Sequence, residues 1–211
     1  VTDPSQFALK LSVWGLPALF GIVLHELSHG GVAYLLGDDT AYRAGRLTLN
    51  PLRHIDPFGT VVMPIMLLFL GLPVFGYAKP VPVSFDRLQP VRAGMIAVAA
   101  AGPITNFALA ATSAYLLRMP QLGELGLTGL WLIRALQVSA VLNLTLAVFN
   151  LIPLPPLDGG RVLCALLPKW LGVRFARIER YGMLILLLLL STRSFEKVFS
   201  LAIDALARIL L

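Results

Sequence analysis

Residues 7–36 read FALKLSVWGLPALFGIVLHELSHGGVAYLL, and Lys10 and Glu26 are the charged side chains in that run. A helix rises about 1.5 Å per residue and the hydrocarbon core of a bilayer is about 30 Å thick, so roughly 20 apolar residues cross it. The stretch therefore reads as a membrane span, with Pro17 as a kink point and Gly37-Asp38-Asp39 as its stop. Working outward, residues 93–117 and 131–152 have the same character and give a second and a third span. Residues 61–72 are apolar but short, hold Pro64, and lie between two basic gaps, which predicts a re-entrant turn rather than a crossing. Residues 181–190 and 195–211 add shorter apolar pieces, the last either interfacial or a short span.

Composition agrees with that reading. Of 211 residues 57% are hydrophobic and 13% charged, too little polar surface for an ordinary soluble domain and too apolar for disorder. The net charge of +6 points away from nucleic acid, because its cations sit in the gaps between apolar blocks. Arg43, Arg46 and Arg53 lie in one gap, Lys79, Arg87 and Arg92 in a second, and Arg161 to Arg180 in a third. Short basic loops mark the cytoplasmic side, so the chain is expected to be an integral membrane protein with these gaps on the cytoplasmic face. Apolar blocks recur from end to end, which predicts one domain over residues 1–211, and no cleavable leader is expected. Cys164 stands alone, so neither a disulfide nor a cysteine-based zinc site can form within the chain.

Two stretches have the alternation of short strands. One is residues 38–56, where Tyr42, Leu47 and Leu49 alternate; the other is residues 75–83, which Pro80 and Pro82 restrict to an edge strand or extended loop. The expected fold is thus an all-α polytopic membrane protein with about four to six transmembrane or re-entrant helices and a small membrane-associated β-strand or hairpin element.

Within the first span stands His25-Glu26-Leu27-Ser28-His29. At 3.6 residues per turn the two imidazoles lie about 40° apart on one helix face and can reach one ion. Glu26, about 60° from His29, can approach a water beside that ion without displacing a ligand, the pattern in which the acid acts as general base. A chance match on a helix surface is the bland alternative. Burying a carboxylate and two imidazoles in an apolar span costs on the order of 3 kcal/mol for the charge alone, and such groups usually serve a function.

A catalytic zinc site usually takes three protein ligands and keeps one position open. The candidates for the third are His54, Asp56 and Asp158. Asp158 ends Asn150-Leu-Ile-Pro-Leu-Pro-Pro-Leu-Asp158, whose prolines, with Gly159 and Gly160 after them, forbid a regular helix and leave backbone groups that lipid cannot satisfy. Broken backbone bracketed by Asn and Asp at a span end favours a site there over an ordinary turn.

His25-Glu26-x-x-His29 in the first span, followed by Asn-x-x-Pro-x-Pro-x-x-Asp-Gly over residues 150–159, resembles the site-2 protease family of intramembrane zinc metalloproteases. Gly102-Pro103-x-x-Asn106 is similar to a further family signature, and residues 50–57 and 76–82 resemble the compact prokaryotic branch. The resemblance implies that His25, His29 and Asp158 bind one Zn²⁺, that Glu26 activates water, and that Asn150 holds substrate or stabilises the oxyanion. It also implies a prokaryotic inner-membrane location, a transmembrane protein or peptide as substrate, cut within or near the membrane in regulated intramembrane proteolysis, and a substrate-holding strand or loop around residues 75–83. Alternating crossings place His29, Asn106 and Asp158 near one face, the one the basic loops mark as cytoplasmic.

A rival from another class is a membrane metal-ion transporter, which requires several coordinating groups stacked along a route through the bilayer. His54 reads either as a loop histidine bonded to a neighbouring acid or as a support at the rim of the site. Asn106 reads equally as a helix–helix hydrogen bond or as part of the site.

Overall fold

The computed structural model describes residues 4–71 and 76–210. Helix α1 (Pro4–Leu35) is followed by a single turn, α2 (Thr40–Arg43). A π-helical turn over Pro57–Val62 then leads into the short α3 (Met63–Phe69). After an irregular stretch come α4 (Val91–Leu117) and α5 (Gly126–Asn150), then α6 (Asp158–Leu166), α7 (Lys169–Ala176), α8 (Glu179–Leu190) and α9 (Arg193–Leu210).

Among the described residues three helical stretches are long and apolar enough to cross a membrane: Ala8–Leu35, Val91–Leu117 and Pro120–Asn150. They are α1, α4 and α5, and they pack on one another, with α6 against α4. The Gln89 N–H donates to the Leu36 carbonyl at 3.0 Å, so the end of α1 meets the start of α4 and the two run antiparallel. Trp131 Nε1 donates to Ser12 Oγ at 3.0 Å, which puts the start of α5 beside the start of α1. The chain therefore alternates direction, and the end of α1, the start of α4 and the end of α5 lie at one end of the bundle.

The fold corrects one expectation. The protein is all-α, and among the described residues there is no β-strand or hairpin. Residues 38–56 fold instead into α2 and a 3-10 turn at Pro51–Arg53, capped by Asn50, which accepts the Leu52 N–H at 3.1 Å. Of the alternating residues Leu47 packs onto α1, so close over Gly30 that a Cβ at Gly30 would come within 2.6 Å of its Cδ2, while Tyr42 and Leu49 are exposed. Of the second expected strand, Phe75 lies outside the described residues. Residues 76–83 follow an irregular path whose backbone groups pair with loops and side chains rather than with a neighbouring strand. Tyr77 N–H donates to the Gly59 carbonyl at 3.1 Å, Lys79 N–H to the His54 carbonyl at 2.8 Å, and Arg46 Nη2 to the Lys79 carbonyl at 2.7 Å. Pro80 and Pro82 have no N–H to offer a ladder. The expected four to six crossing or re-entrant helices reduce, among the described residues, to three of crossing length. Residues 57–69 rise only about 20 Å as a helix and cannot span.

Asp38, fully buried just past α1, ties this covering layer down. It accepts the Ser84 N–H at 2.6 Å and the Thr40 N–H at 3.1 Å, and bonds the Thr40 hydroxyl. Burial alone pushes its carboxyl up; the hydrogen bonds from Thr40 and Ser84, with Arg87 nearby, reverse this and hold it below the usual carboxylate range.

Candidate metal centre

His25 and His29 are both buried and project from one face of α1 toward α4 and α6. Each ring is fixed by its Nδ1. His29 Nδ1–H donates to the Val98 carbonyl at 2.6 Å, and His25 Nδ1 lies 2.6 Å from Asn106 Oδ1. Asn106 donates through Nδ2 to the Gly21 carbonyl at 3.2 Å, which leaves its oxygen for His25, so His25 Nδ1–H is the donor. Pro103, one residue beyond Gly102, removes the N–H that would pair with the Ala99 carbonyl, next to the Val98 carbonyl that accepts from His29. At Gly102 any Cβ would lie 2.5 Å from His25 Cε1 and from His29 Nε2, so glycine is what admits both imidazoles against α4.

Asp158 arrives from the other side. After α5 ends at Asn150 the chain doubles back so tightly that a Cβ at Gly159 would fall 2.2 Å from the Leu151 carbonyl oxygen, and one at Gly160 would fall 2.3 Å from the Pro155 nitrogen. This places Asp158 in the first turn of α6, buried, with Oδ2 3.2 Å from His25 Nε2 and 3.3 Å from His29 Nε2. The two Nε2 atoms are 3.1 Å apart.

With a proton on each Nδ1, a neutral imidazole presents a lone pair at Nε2. Three electron-pair donors therefore converge, and Asp158 Oδ2 has no hydrogen-bond partner. One shared proton satisfies one pair of them; a cation satisfies all three. A tetrahedral zinc with bonds of about 2.0–2.1 Å sets its ligand atoms roughly 3.3–3.4 Å apart, which matches the observed triangle. Two imidazoles and a carboxylate are also a donor set that zinc takes in catalytic sites. The residues fit the ion.

Glu26 and Asn150 line the same cavity of about 360 Å³ as His25, His29 and Asp158. Glu26 is half-buried and its Oε2 accepts the Val81 N–H at 2.9 Å, so residues 76–83 rest on it. Asn150 Nδ2 donates to the Leu146 carbonyl at 3.0 Å, which uses one of its two hydrogens. Arg161, one turn beyond Asp158, lines the cavity as well.

The other candidate ligands stand apart. His54 is buried but its Nε2 faces the Thr48 carbonyl at 2.9 Å, a carbonyl rather than the neighbouring acid, and the residue lines an adjoining cavity of about 230 Å³ that shares Ile22, Gly76, Tyr77 and Ala78 with the larger one. Asp56 caps the Pro57–Val62 turn through the Phe58 and Gly59 N–H groups. Among the described residues the three-residue cluster His25, His29 and Asp158 is the one group able to hold a metal, so the stacked route of a transporter is not seen. Asn106 turns out to serve both readings at once, as helix–helix bond and as partner of His25. Sequence reasoning passed over Asn143 on α5, which is buried and accepts from Asn106 Nδ2 at 2.8 Å. An amide in the middle of an apolar span was the available signal.

Comparison with known proteins gives a consistent result. The profile described as Peptidase family M50 matches residues 123–192. YwhC of Bacillus subtilis is 39% identical over 177 residues, covering 82% of this chain and 78% of its own length. Rip2 of Mycolicibacterium smegmatis is 29% identical over 196 residues, covering 92% of this chain and 70% of its own length; both carry the name "putative zinc metalloprotease". A third relative, named zinc metalloprotease MJ0392, from Methanocaldococcus jannaschii, is 30% identical over 151 residues, which are 72% of this chain but 33% of that protein. No solved structure gives a significant match. With His25, His29 and Asp158 brought together from distant parts of the chain, this degree of identity over most of YwhC decides the matter: the chain belongs to peptidase family M50, the site-2 protease family of zinc metalloproteases.

Proposed function

We propose that residues 1–211 form a single intramembrane endopeptidase domain that cuts transmembrane segments of membrane proteins, as in regulated intramembrane proteolysis. His25, His29 and Asp158 hold one zinc, Glu26 is the general base, and Asn150 assists at the oxyanion. The observation that carries this reading is the triangle formed by His25 Nε2, His29 Nε2 and Asp158 Oδ2, with edges of 3.1, 3.2 and 3.3 Å, set beside an acid in a cavity within the bundle.

Bound zinc supplies Lewis acidity, acidifying a water and polarising a peptide carbonyl. Glu26 lies on the same helix face as the imidazoles; it takes the proton from the attacking water and delivers it to the leaving amine. Asn150 keeps one N–H beyond its bond to Leu146, and that hydrogen is available to the substrate oxygen as it gains charge. The half-buried position of Glu26 beneath residues 76–83 limits the water that reaches it. The bundle end that carries the triad also carries the basic loops of Arg43 to Arg53 and Lys79 to Arg92, which supports a site toward the cytoplasmic face. The apolar outer faces of α1, α4 and α5 contact lipid.

The test is detergent-purified protein assayed for zinc stoichiometry and for cleavage of a panel of single-span peptides. One zinc per chain and chelator-sensitive cleavage that Glu26→Gln abolishes are expected. Cleavage that persists in Glu26→Gln removes Glu26 from the mechanism, and metal flux in liposomes without cleavage replaces the protease reading with transport.

A further inference from the structure

A chain of amides runs from the His25 ring into the interior of the bundle, away from the cavity. His25 Nδ1–H meets Asn106 Oδ1; Asn106 Nδ2 meets Asn143 Oδ1 at 2.8 Å; Asn143 Nδ2 meets the Ser139 carbonyl at 2.9 Å. Asn106 and Asn143 are 0% and 1% exposed, so no water replaces a lost partner. Ser139 Oγ, itself paired with Ser113 Oγ, is a longer contact of Asn143 Nδ2 at 3.3 Å; the nearer partner at the far end is the Ser139 carbonyl, which only accepts. That fixes which end of the Asn143 amide faces Ser139, leaves the Asn143 oxygen for Asn106, turns the Asn106 oxygen to His25, and requires the proton on Nδ1. A flipped Asn143 sets oxygen against the Ser139 carbonyl and nitrogen against the Asn106 nitrogen, two repulsions in a low-dielectric interior.

We propose that Asn143 is a positioning residue for the metal centre: with the Ser139 carbonyl it orients Asn106, and through Asn106 it holds His25 in the tautomer whose Nε2 lone pair faces the metal. The inference rests on the zinc-site reading above and gives the middle of α5, and not only its end at Asn150, a part in building the site. Gly21 belongs to the same device. A Cβ there would lie 2.7 Å from Asn143 Oδ1, so the absence of a side chain on α1 is what lets the α5 amide reach across. The Gly21 carbonyl takes the second hydrogen of Asn106 Nδ2 at 3.2 Å, which leaves that nitrogen fully used. Outer partners of metal-ligating histidines orient the ring and raise its basicity, and their loss typically lowers metal affinity 10- to 100-fold.

The chain contains three histidines, so the purified protein labelled with ¹⁵N-histidine gives a resolvable set of imidazole signals. In zinc-free wild type above the imidazole titration range, His25 is expected wholly as the Nδ1–H tautomer. In Asn143→Leu, close in volume but without the amide, a mixture of tautomers is expected, and competition with a chromophoric chelator should show zinc bound about tenfold more weakly. Gly21→Ala, which presses a methyl group on the Asn143 oxygen, should weaken zinc binding in wild type and have little further effect in the Asn143→Leu background. Folded Asn143→Leu and Gly21→Ala proteins with wild-type tautomer and zinc affinity, even if their thermal stability falls, overturn the proposal. Failure of the metal centre itself looks different: zinc binding that survives His25→Ala, while the tautomer comparison in zinc-free protein still tests the relay.

Discussion

Gly102→Ala adds one methyl group at the point where α4 meets both imidazoles. The new Cβ would lie 2.5 Å from His25 Cε1 and His29 Nε2 and 2.6 Å from His25 Nε2. Ordinary contact begins at 3.4 Å, so the rings must retreat by about 0.9 Å, the difference between those distances. Neither is free to do so, because each Nδ1 is held at 2.6 Å by Asn106 or Val98. A zinc site tolerates ligand displacements of about 0.2 Å. Zinc affinity should therefore fall by at least about 100-fold, the upper end of what losing an outer partner alone does. The fold should survive: overpacking costs about 1–3 kcal/mol, and alanine in place of glycine in a helix returns about 1 kcal/mol. The assay is zinc per chain after equilibration against a chelator, with helicity by circular dichroism on the same sample. A helical Gly102→Ala protein that keeps one zinc at wild-type affinity refutes the placement of the imidazoles against α4.

Asp158→Ala should retain helicity but lose stoichiometric zinc, and metal analysis that shows unchanged content would move the third ligand elsewhere. Asn150→Ala should keep zinc and lower kcat by about 10²–10³ with little change in KM if its free N–H serves the oxyanion; an unchanged kcat removes that role. Because the Asp38 carboxyl is held below the ordinary range, its contribution to stability is complete above the unfolded carboxylate value near pH 3.9 and is lost as pH falls through the lower folded value. Thermal melts from pH 7 to pH 3 should show a loss at the acid end that Asp38→Ala, already less stable at pH 7, lacks; parallel curves would deny Asp38 that part.

The sequence was most readable where chemistry conflicts with its surroundings. His25, Glu26 and His29 stand out because they interrupt an apolar span, and Asp158 because prolines and glycines break the helix before it; no packing need explains either. The three spans were legible from length and apolarity, although α5 begins at Gly126, five residues before the expected start at Trp131. The missing strands show the limit of period-two patterns. Leu47 and Leu49 alternate because one packs on Gly30 of α1 while the other is exposed, and a partner strand is not needed to produce that. His54 could not be placed from its loop, since a buried ring facing the Thr48 carbonyl depends on how the loop folds over α1. Asn143 escaped because its partner lies 37 residues away on another helix, a pairing that only the crossing of α4 and α5 creates.

His29 and Asp158 stand about 130 residues apart in the chain, and a cation held between them fastens the beginning of the protein to a short helix that follows its last long span. Within lipid, apolar side chains gain little from leaving one greasy neighbour for another, so a coordinate bond there acts as a rivet. The rivet would add to contacts that α6 already makes with α4, and to the close approach of the Pro155 carbonyl to Gly182 of α8.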